Sequence, residues 1–297
     1  MSSIDFPCAG RHIQHLIMKT RSVFSLFAAL PLLLAGTAVR ATTVSYNTGS
    51  LGAAANGTNA DPVTLGAGAV AAGGDQAANY NGAGGTNTSI PFQAGLNPVA
   101  ISPFTVEFWA NPTNSDNDDA PVSNRVAAGN RSGWTFFQRA AGTGWNFRMY
   151  NGVGSGLGWD LTGGTSNLNA WSHVVATWDG SAAQLFVNGF LADSSNDPAA
   201  TGVYNASSSA TLFLAATDTG SPYTGAVDEV AFYGGVLSAA QIVNHFGLAT
   251  SGAQGDYHSR ILLDGARLQL TNNSIPESSS LAILGLSGLA LVRRRAR

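Results

Sequence analysis

The carboxylates that could perform acid–base catalysis are few and poorly spaced for it. The chain has three glutamates, Glu107, Glu229 and Glu277. A retaining glycosidase needs a nucleophile and an acid/base carboxylate about 5 to 5.5 Å apart. Glu107 is alone on its predicted strand, and Glu229 adjoins Asp228, so these two neighbours are expected on opposite faces of a strand. The glutamates predict no catalytic pair, which leaves an aspartate pair from distant loops as the alternative.

Nucleophilic catalysis also lacks its usual residues. The only lysine is Lys19, the only cysteine is Cys8, and no Gly-x-Ser-x-Gly motif occurs. His173 lies within a predicted strand, where a core or hydrogen-bonded histidine is the favoured interpretation over a catalytic one. The sequence therefore predicts no catalytic residue and no enzyme activity. The single cysteine also excludes an intrachain disulfide.

Aromatic residues near glycine-rich segments indicate a carbohydrate-binding site, because sugar rings stack on Trp and Tyr. The predicted ligand-binding residues are Trp134, Tyr150, Trp159 and Tyr223. Core packing is the alternative, and for Trp134 and Trp159 both interpretations stay open. The tryptophans for which core packing is favoured lie within predicted strands and are Trp109, Trp145, Trp171 and Trp178.

Apolar residues that recur with a period of two predict strands from residue 104 onward. Phe104, Val106 and Phe108 alternate with residues of a second face. Asn188 and Gly189 stand between two apolar runs and predict a tight hairpin turn. The predicted strands are 104–109, 134–138, 145–150, 171–178, 183–187, 190–192, 211–215 and 225–233, with a loop at 114–124.

One helix is predicted late in the chain. Ser238 and Gln241 have the spacing of a capping box, and the apolar residues that follow predict a helix from Ser238 to Phe246 that ends at Gly247. Strands and helices do not alternate, which disfavours a parallel sheet. The fold class is therefore predicted to be all-β, an antiparallel β-sandwich with one short late helix.

Both ends of the chain predict export. Residues 18–41 have the layout of a secretory signal peptide, with a basic start, an apolar run and a cut after Ala41, which implies passage through the Sec translocon. Residues 1–17 are interpreted as an upstream extension before a start at Met18. Residues 281–292 are apolar but shorter than the roughly 17 to 25 residues of a spanning helix, so they predict transient association with the inner membrane.

The charge of the predicted exported part limits its partners. Residues 42–275 carry 6 basic and 15 acidic residues, a net charge of −9, and no lysine. Nucleic acids are bound mainly through basic contacts to phosphate, so no nucleic-acid partner is predicted. The composition favours neutral sugars or divalent cations as ligands.

The C-terminal segment 275–297 resembles the PEP-CTERM sorting signal. Pro276 and Glu277 precede the apolar stretch, and the chain closes on an arginine cluster, although Ser278 stands where the family has a second proline. The arginines that form the cluster are Arg293, Arg294, Arg295 and Arg297. The resemblance implies processing by an exosortase in a Gram-negative bacterium that makes exopolysaccharide, with the product in the cell envelope or extracellular matrix.

The runs FTVEFWANPT, WSHVVATWDGSAAQLFVNGFLAD and YTGAVDEVAFYGGVLSAAQI resemble the laminin-G-like, concanavalin A-like lectin/glucanase superfamily. The resemblance implies a jelly roll over residues 42–248, with residues 249–274 as a linker to the sorting signal. It also implies a structural calcium ion held by Asp228, with backbone oxygens of residues 79–82 in support. The glucanases of the superfamily carry an E-x-D-x-x-E strand, which this sequence lacks.

Two functions fit these features. The first is an exported, non-catalytic surface protein that binds polysaccharide or the cell-surface matrix, and that an exosortase sorts and cleaves. The second is a secreted carbohydrate-active enzyme of the same fold with an atypical site. A purely structural matrix component without a discrete ligand is a third interpretation.

Overall fold

The computed structural model describes residues 42–45, 58–60, 63–71, 75–115, 118–140, 143–251 and 254–271. The chain divides into two units, Met1–Thr37 and Ala38–Arg297, and all described residues belong to the second. The upstream extension predicted at 1–17, the signal peptide predicted at 18–41 and the sorting signal predicted at 275–297 lie outside the described residues. No helix in the described part is long and apolar enough to cross a membrane.

The described residues form two β-sheets, two helices and a 3-10 turn. The strands in chain order are β1 (Thr42–Ser45), β2 (Thr58–Asn59), β3 (Thr64–Ala67), β4 (Gln76–Asn81), β5 (Thr88–Ile90), β6 (Phe104–Pro112), β7 (Val122–Val126), β8 (Ser132–Gln138), β9 (Trp145–Tyr150), β10 (Leu157–Gly163), β11 (Ser172–Trp178), β12 (Ala183–Val187), β13 (Phe190–Asp193), β14 (Leu212–Leu214), β15 (Thr224–Tyr233) and β16 (Ala266–Thr271). The helices are α1 (Ala239–Thr250) and α2 (Gln254–Leu263), and the 3-10 turn is Ala94–Leu96.

The larger sheet has nine described strands and the smaller sheet has seven. The larger sheet has the order β1-β16-β15-β6-β11-β12-β13, with β4 paired to β15 and β3 paired to β4. The smaller sheet has the order β10-β9-β8-β7-β14-β5-β2. Among the described strands, β1 and β16 pair in parallel, and all the remaining strand pairs are antiparallel. The prediction of an antiparallel sandwich is confirmed.

The period-two pattern of β6 separates two buried layers. Phe104, Val106 and Phe108 point between the sheets into the main core of the sandwich. Trp109 points to the other face of the larger sheet, into a second core beneath α1 and α2. The larger sheet is therefore buried on both of its faces where the helices lie.

The predicted linker at 249–274 is wrong, because this segment contains α2 and β16. Tyr257 and Ile261 are four residues apart, so they lie on one face of α2, and both are fully buried in the second core. β16 then pairs with β15 and extends the larger sheet. The domain thus continues to at least Thr271.

The local turn and cap predictions are confirmed. Asn188 and Gly189 adopt positive φ values of 53° and 83°, as a tight hairpin between β12 and β13 requires. The Ser238 side chain accepts from the Gln241 backbone N–H, and the Gln241 side chain accepts from the Ser238 backbone N–H. α1 begins where the capping box predicts, but it continues through Gly247 to Thr250.

Candidate metal centre and ligand-binding face

The predicted aromatic binding rim is wrong for three of its four residues. Trp134, Tyr150 and Tyr223 are each at most 1% exposed, so none presents a ring face to a sugar. Trp134 points inward and stacks on Phe104 with ring centroids 6.4 Å apart. Trp159 is half-buried and packs edge-on against Trp178 at 5.8 Å. The main core includes Trp134 and Tyr223, and Trp159 packs against it. Tyr150 lies outside that core, on the outer side of the smaller sheet, where Arg125 covers it.

Core packing is confirmed for three of the four strand tryptophans. Trp109, Trp145 and Trp178 are at most 2% exposed. Trp171, which precedes β11, is half-buried and packs against the second core.

Glu107 lies at the centre of a buried hydrogen-bond network between the larger sheet and the helices. Its Oε1 accepts from His173 Nε2 at 2.8 Å and from the Tyr257 hydroxyl at 3.2 Å. Its Oε2 accepts from His245 Nδ1 at 2.9 Å and from the Tyr233 hydroxyl at 2.8 Å. Glu107 is 0% exposed and cannot touch a substrate. The interpretation of His173 as a hydrogen-bonded core residue is therefore confirmed.

The ionisation of this network follows from its contacts. Burial alone would raise the pKa of Glu107, but the charge of His245 and the hydrogen bonds from both histidines hold that pKa well below its ordinary value. Burial alone would lower the pKa of His245, but the charge and hydrogen bond of Glu107, together with Asp264, raise it from 6.5 to about 8. The network is thus a buried ion pair at neutral pH.

This ion pair predicts a pH-dependent stability. Glu107 contributes above its ordinary pKa of 4.5, and the contribution is lost as the pH falls. His245 contributes fully below its ordinary pKa of 6.5, and the contribution is lost as the pH rises through about 8. The melting temperature should therefore fall between about pH 6 and pH 9, and His245→Gln should flatten that slope. An unchanged slope in the variant would contradict the assignment.

The carboxylates of Asp228 and Glu229 lie on the same face, contrary to the expectation for neighbouring strand residues. β15 shifts register against β6 between Asp228 and Ala231, and Glu229 has a φ of 48°. Such a β-bulge inserts a residue and reorients the side chain that follows. Both carboxylates consequently reach the region between the larger sheet and α2, where each is fully buried.

The described residues contain one group with the composition of a metal site, formed by Asp75, Glu229 and His258. Each offers one ligand atom, and these atoms lie within 4.8 Å of one another. Asp75 precedes β4, Glu229 lies in the β15 bulge and His258 lies in the middle of α2. His258 Nε2 is 2.6 Å from Glu229 Oε1, and Asp75 Oδ2 accepts from the backbone N–H of Val70.

Asp228, the predicted calcium ligand, adjoins this group. Its Oδ2 accepts from the Ala69 backbone N–H at 2.9 Å, and its Oδ1 accepts from the Glu229 backbone N–H at 3.0 Å. Burial, followed by the negative charges of Glu229 and Asp75, raises the pKa of Asp228 well above its ordinary value. Residues 79–81 pair with 224–226 of β15, and support of a calcium ion by their backbone oxygens stays a prediction.

The donor set of this group does not fit calcium. Calcium takes six to eight oxygen ligands, whereas this group places an imidazole nitrogen beside two carboxylates. Both oxygens of Asp228 already accept backbone hydrogen bonds. Calcium at Asp228 stays a prediction, and the residues around it favour another class of cation.

The outer face of the smaller sheet is polar. Cross-strand pairing places Asp160, Arg148, Thr135 and Ser123 side by side on β10, β9, β8 and β7. Arg148 Nε is 3.4 Å from Asp160 Oδ1, and the Ser123 and Thr135 hydroxyls are 3.1 Å apart. We call this row the polar face. At about 4.8 Å per strand, the row covers about 14 Å across the sheet.

Arginines cover the aromatic rings of the same surface. The Arg148 guanidinium lies 5.0 Å from the ring centroid of Phe137, and the Arg125 guanidinium lies 5.8 Å from those of Phe137 and Tyr150. Arg125 also donates to the Tyr150 hydroxyl and pairs with Asp218. The side chains of Arg148 and Asp160 are 21% and 16% exposed, so both are accessible from solvent.

Two sheets of almost entirely antiparallel strands, packed around one main core, form a sandwich of the jelly-roll type. The Laminin_G_3 family model, described as the concanavalin A-like lectin/glucanases superfamily, matches residues 83–243. The chain belongs to this superfamily, as its three strand motifs predicted. No curated protein matches the sequence.

The solved structures with a similar fold include two binding domains. The botulinum neurotoxin serotype G binding domain has a TM-score of 0.52 and 14% identity, covering 71% of this chain and 51% of that one. The binding domain of paraclostridial mosquitocidal protein 1 has a TM-score of 0.52 and 16% identity, covering 68% of this chain and 50% of that one. This chain thus spans about half of each, and at these identities the likeness concerns the fold.

Proposed function

We propose that this protein is an exported, non-catalytic module that binds polysaccharide or cell-surface matrix through the polar face. The observation that carries the proposal is the contrast between the two sheets. Helices α1 and α2 bury the outer side of the larger sheet in the second core. The outer side of the smaller sheet instead presents the charged pair Arg148 and Asp160, whose side chains are 21% and 16% exposed, beside the buried hydroxyls of Ser123 and Thr135. Such groups donate and accept the hydrogen bonds that sugar hydroxyls need.

A binding role fits the carboxylates better than hydrolysis does. Glu107 and Glu229 are both 0% exposed, and both are held by histidines. A glycosidase requires an acid that contacts the glycosidic oxygen, so neither of these buried glutamates can act as that acid. Asp160 of the polar face pairs with Arg148, and this pair offers both acceptors and donors to a hydroxyl group.

A glycan array and a reducing-sugar assay on the same glycans test this function. We expect selective binding on the array and no release of reducing sugar from any bound glycan. Release of sugar would favour the alternative, a carbohydrate-active enzyme with an atypical site. A blank array would contradict glycan binding and favour a purely structural matrix component.

Export and sorting complete the proposal. The signal-peptide layout at 18–41 and the segment Pro276, Glu277, apolar stretch and Arg293–Arg295 support secretion through the Sec translocon, a transient stay in the inner membrane and cleavage by an exosortase. The destination is the cell envelope or extracellular matrix of a Gram-negative bacterium.

Cleavage predicts a defined mass for the released protein. The extracellular form should begin after Ala41 and end near residues 274–278, because the signal peptide and the sorting signal are both removed during export. Intact-mass spectrometry of protein recovered outside the cells measures this directly. Extracellular protein that retains Arg297 would contradict the sorting signal.

A further inference from the structure

We propose that Asp75, Glu229 and His258 bind a divalent transition-metal ion of the zinc class, in a buried site between the larger sheet and α2. The proposal goes beyond the polysaccharide-binding function and is independent of it, since the polar face lies on the other sheet. The ion would join three parts of the chain that are far apart in sequence.

The distances between the three ligand atoms are the first support for the proposed site. The three ligand atoms lie within 4.8 Å of one another, close enough for one ion to contact all three after small side-chain adjustments. Zinc bonds to imidazole nitrogen and carboxylate oxygen at about 2.0 to 2.2 Å. Three protein ligands and one further ligand complete its usual four-coordinate shell.

The chemistry of the donors selects the class of ion. Imidazole suits zinc and the neighbouring transition metals, whereas calcium and magnesium prefer shells of oxygen. Nε2 of His258 faces Glu229, which fixes the nitrogen on the side of the carboxylates. The proton between these atoms leaves when the nitrogen coordinates the ion.

The negative charge around the three ligand residues also favours binding of a cation. Asp75, Asp228 and Glu229 place three carboxylates together at 7%, 0% and 0% exposure. Carboxylates this close repel one another at low dielectric, and a divalent cation between them removes much of that repulsion. Asp228 would act from outside the ligand set, because its oxygens accept from the backbone N–H groups of Ala69 and Glu229.

The local backbone supports the same arrangement. The Glu229 φ of 48° belongs to a bulge that turns its carboxylate toward α2. A Cβ at Gly68 would come within 2.2 Å of Asp75 Oδ2, so a residue without a side chain lets the Asp75 carboxylate sit close to the backbone. The His258 side chain is 9% exposed, so this edge of the site lies close to solvent.

Metal titration of the full chain, purified without an oligohistidine tag and treated with chelator, tests the proposal. Zinc and cobalt should bind at about one ion per chain and raise the melting temperature, whereas calcium at the same concentration should do neither. Cobalt should give the visible absorption of a four-coordinate site, and X-ray absorption of the zinc form should show a mixed nitrogen and oxygen shell.

Variants locate the ion. His258→Gln should weaken zinc binding at least about tenfold. Asp256 is an exposed acid two residues away on α2. The variant Asp256→Asn is therefore the matched control and should bind zinc as the wild type does. Glu229→Gln is a second test if His258→Gln fails to fold, and the X-ray absorption of the wild type needs no variant.

The overturning results are equally specific. Wild-type protein that takes up no transition metal in stoichiometric amount would refute the site. Calcium bound in preference to zinc would refute the class of ion and return the site to the ligand implied by the superfamily. Zinc bound equally well by wild type and the folded His258→Gln variant would place the ion elsewhere.

Discussion

Replacing Glu107 by Gln should lower the free energy of unfolding by about 3 to 5 kcal/mol. The side chain keeps its size but loses its charge, and its amide N–H₂ then faces groups that were donating to a carboxylate. The amide keeps one accepting oxygen, so one pair of donors, either His173 and Tyr257 or His245 and Tyr233, would lose its acceptor. Unfolding in denaturant, followed by circular dichroism, measures the change.

Asp256→Asn is the control for this experiment. Asp256 is an exposed acid in the first turn of α2, so its loss should change the free energy of unfolding by less than about 1 kcal/mol. A Glu107→Gln variant as stable as this control would mean that the buried network does not stabilise the packing of the helices on the larger sheet.

Replacing Trp178 by Ala should cost about 3 to 5 kcal/mol of stability through the cavity it leaves. Trp178 is 2% exposed, packs against Trp159 and Tyr204 with ring centroids 5.8 and 6.0 Å apart, and donates from Nε1 to the Ala100 carbonyl. The midpoint of denaturant unfolding should fall accordingly.

Phe190→Ala provides a matched aromatic truncation on the neighbouring hairpin. Phe190 is 75% exposed, so its removal leaves no cavity and should leave the midpoint almost unchanged. Equal midpoints for Trp178→Ala and Phe190→Ala would contradict the place of Trp178 in the main core.

The sequence predicted the parts of the fold that depend on local patterns. Alternation in 104–109 and 225–233 marks β6 and β15, because each of these strands must present apolar residues to the main core. The Asn188-Gly189 turn and the capping box at Ser238 depend on backbone geometry that few residues adopt, so both could be predicted from the sequence.

The elements that were missed lack such local patterns. β7 and β10 lie in segments rich in Gly, Asn and Asp, which favour turns. The spacing of Tyr257 and Ile261 was the available signal for α2, but one pair of apolar residues is weak evidence for a helix.

The candidate sites depended on contacts between distant parts of the chain. The bulge that places Glu229 beside Asp228 arises from pairing with β6, about 120 residues earlier, and no local pattern marks it. Asp75 and His258 come together only when β4 pairs with β15 and α2 packs on the face of the same sheet. Trp134 is buried because it occupies the inner face of β8, and Tyr150 is buried on the outer face of β9 because Arg125 of another strand covers it.

The central claim is that ligands bind on the polar face and not on the helix-covered side. Its most direct test is the affinity of the best-bound glycan from the array, measured by calorimetry for two variants. Arg148→Ala removes a charged donor from the polar face and should weaken binding about tenfold or more. Val243→Ala truncates a half-exposed residue of α1 and should leave the affinity unchanged. Unchanged affinity in a folded Arg148→Ala variant, with weakened binding in Val243→Ala, would contradict the account.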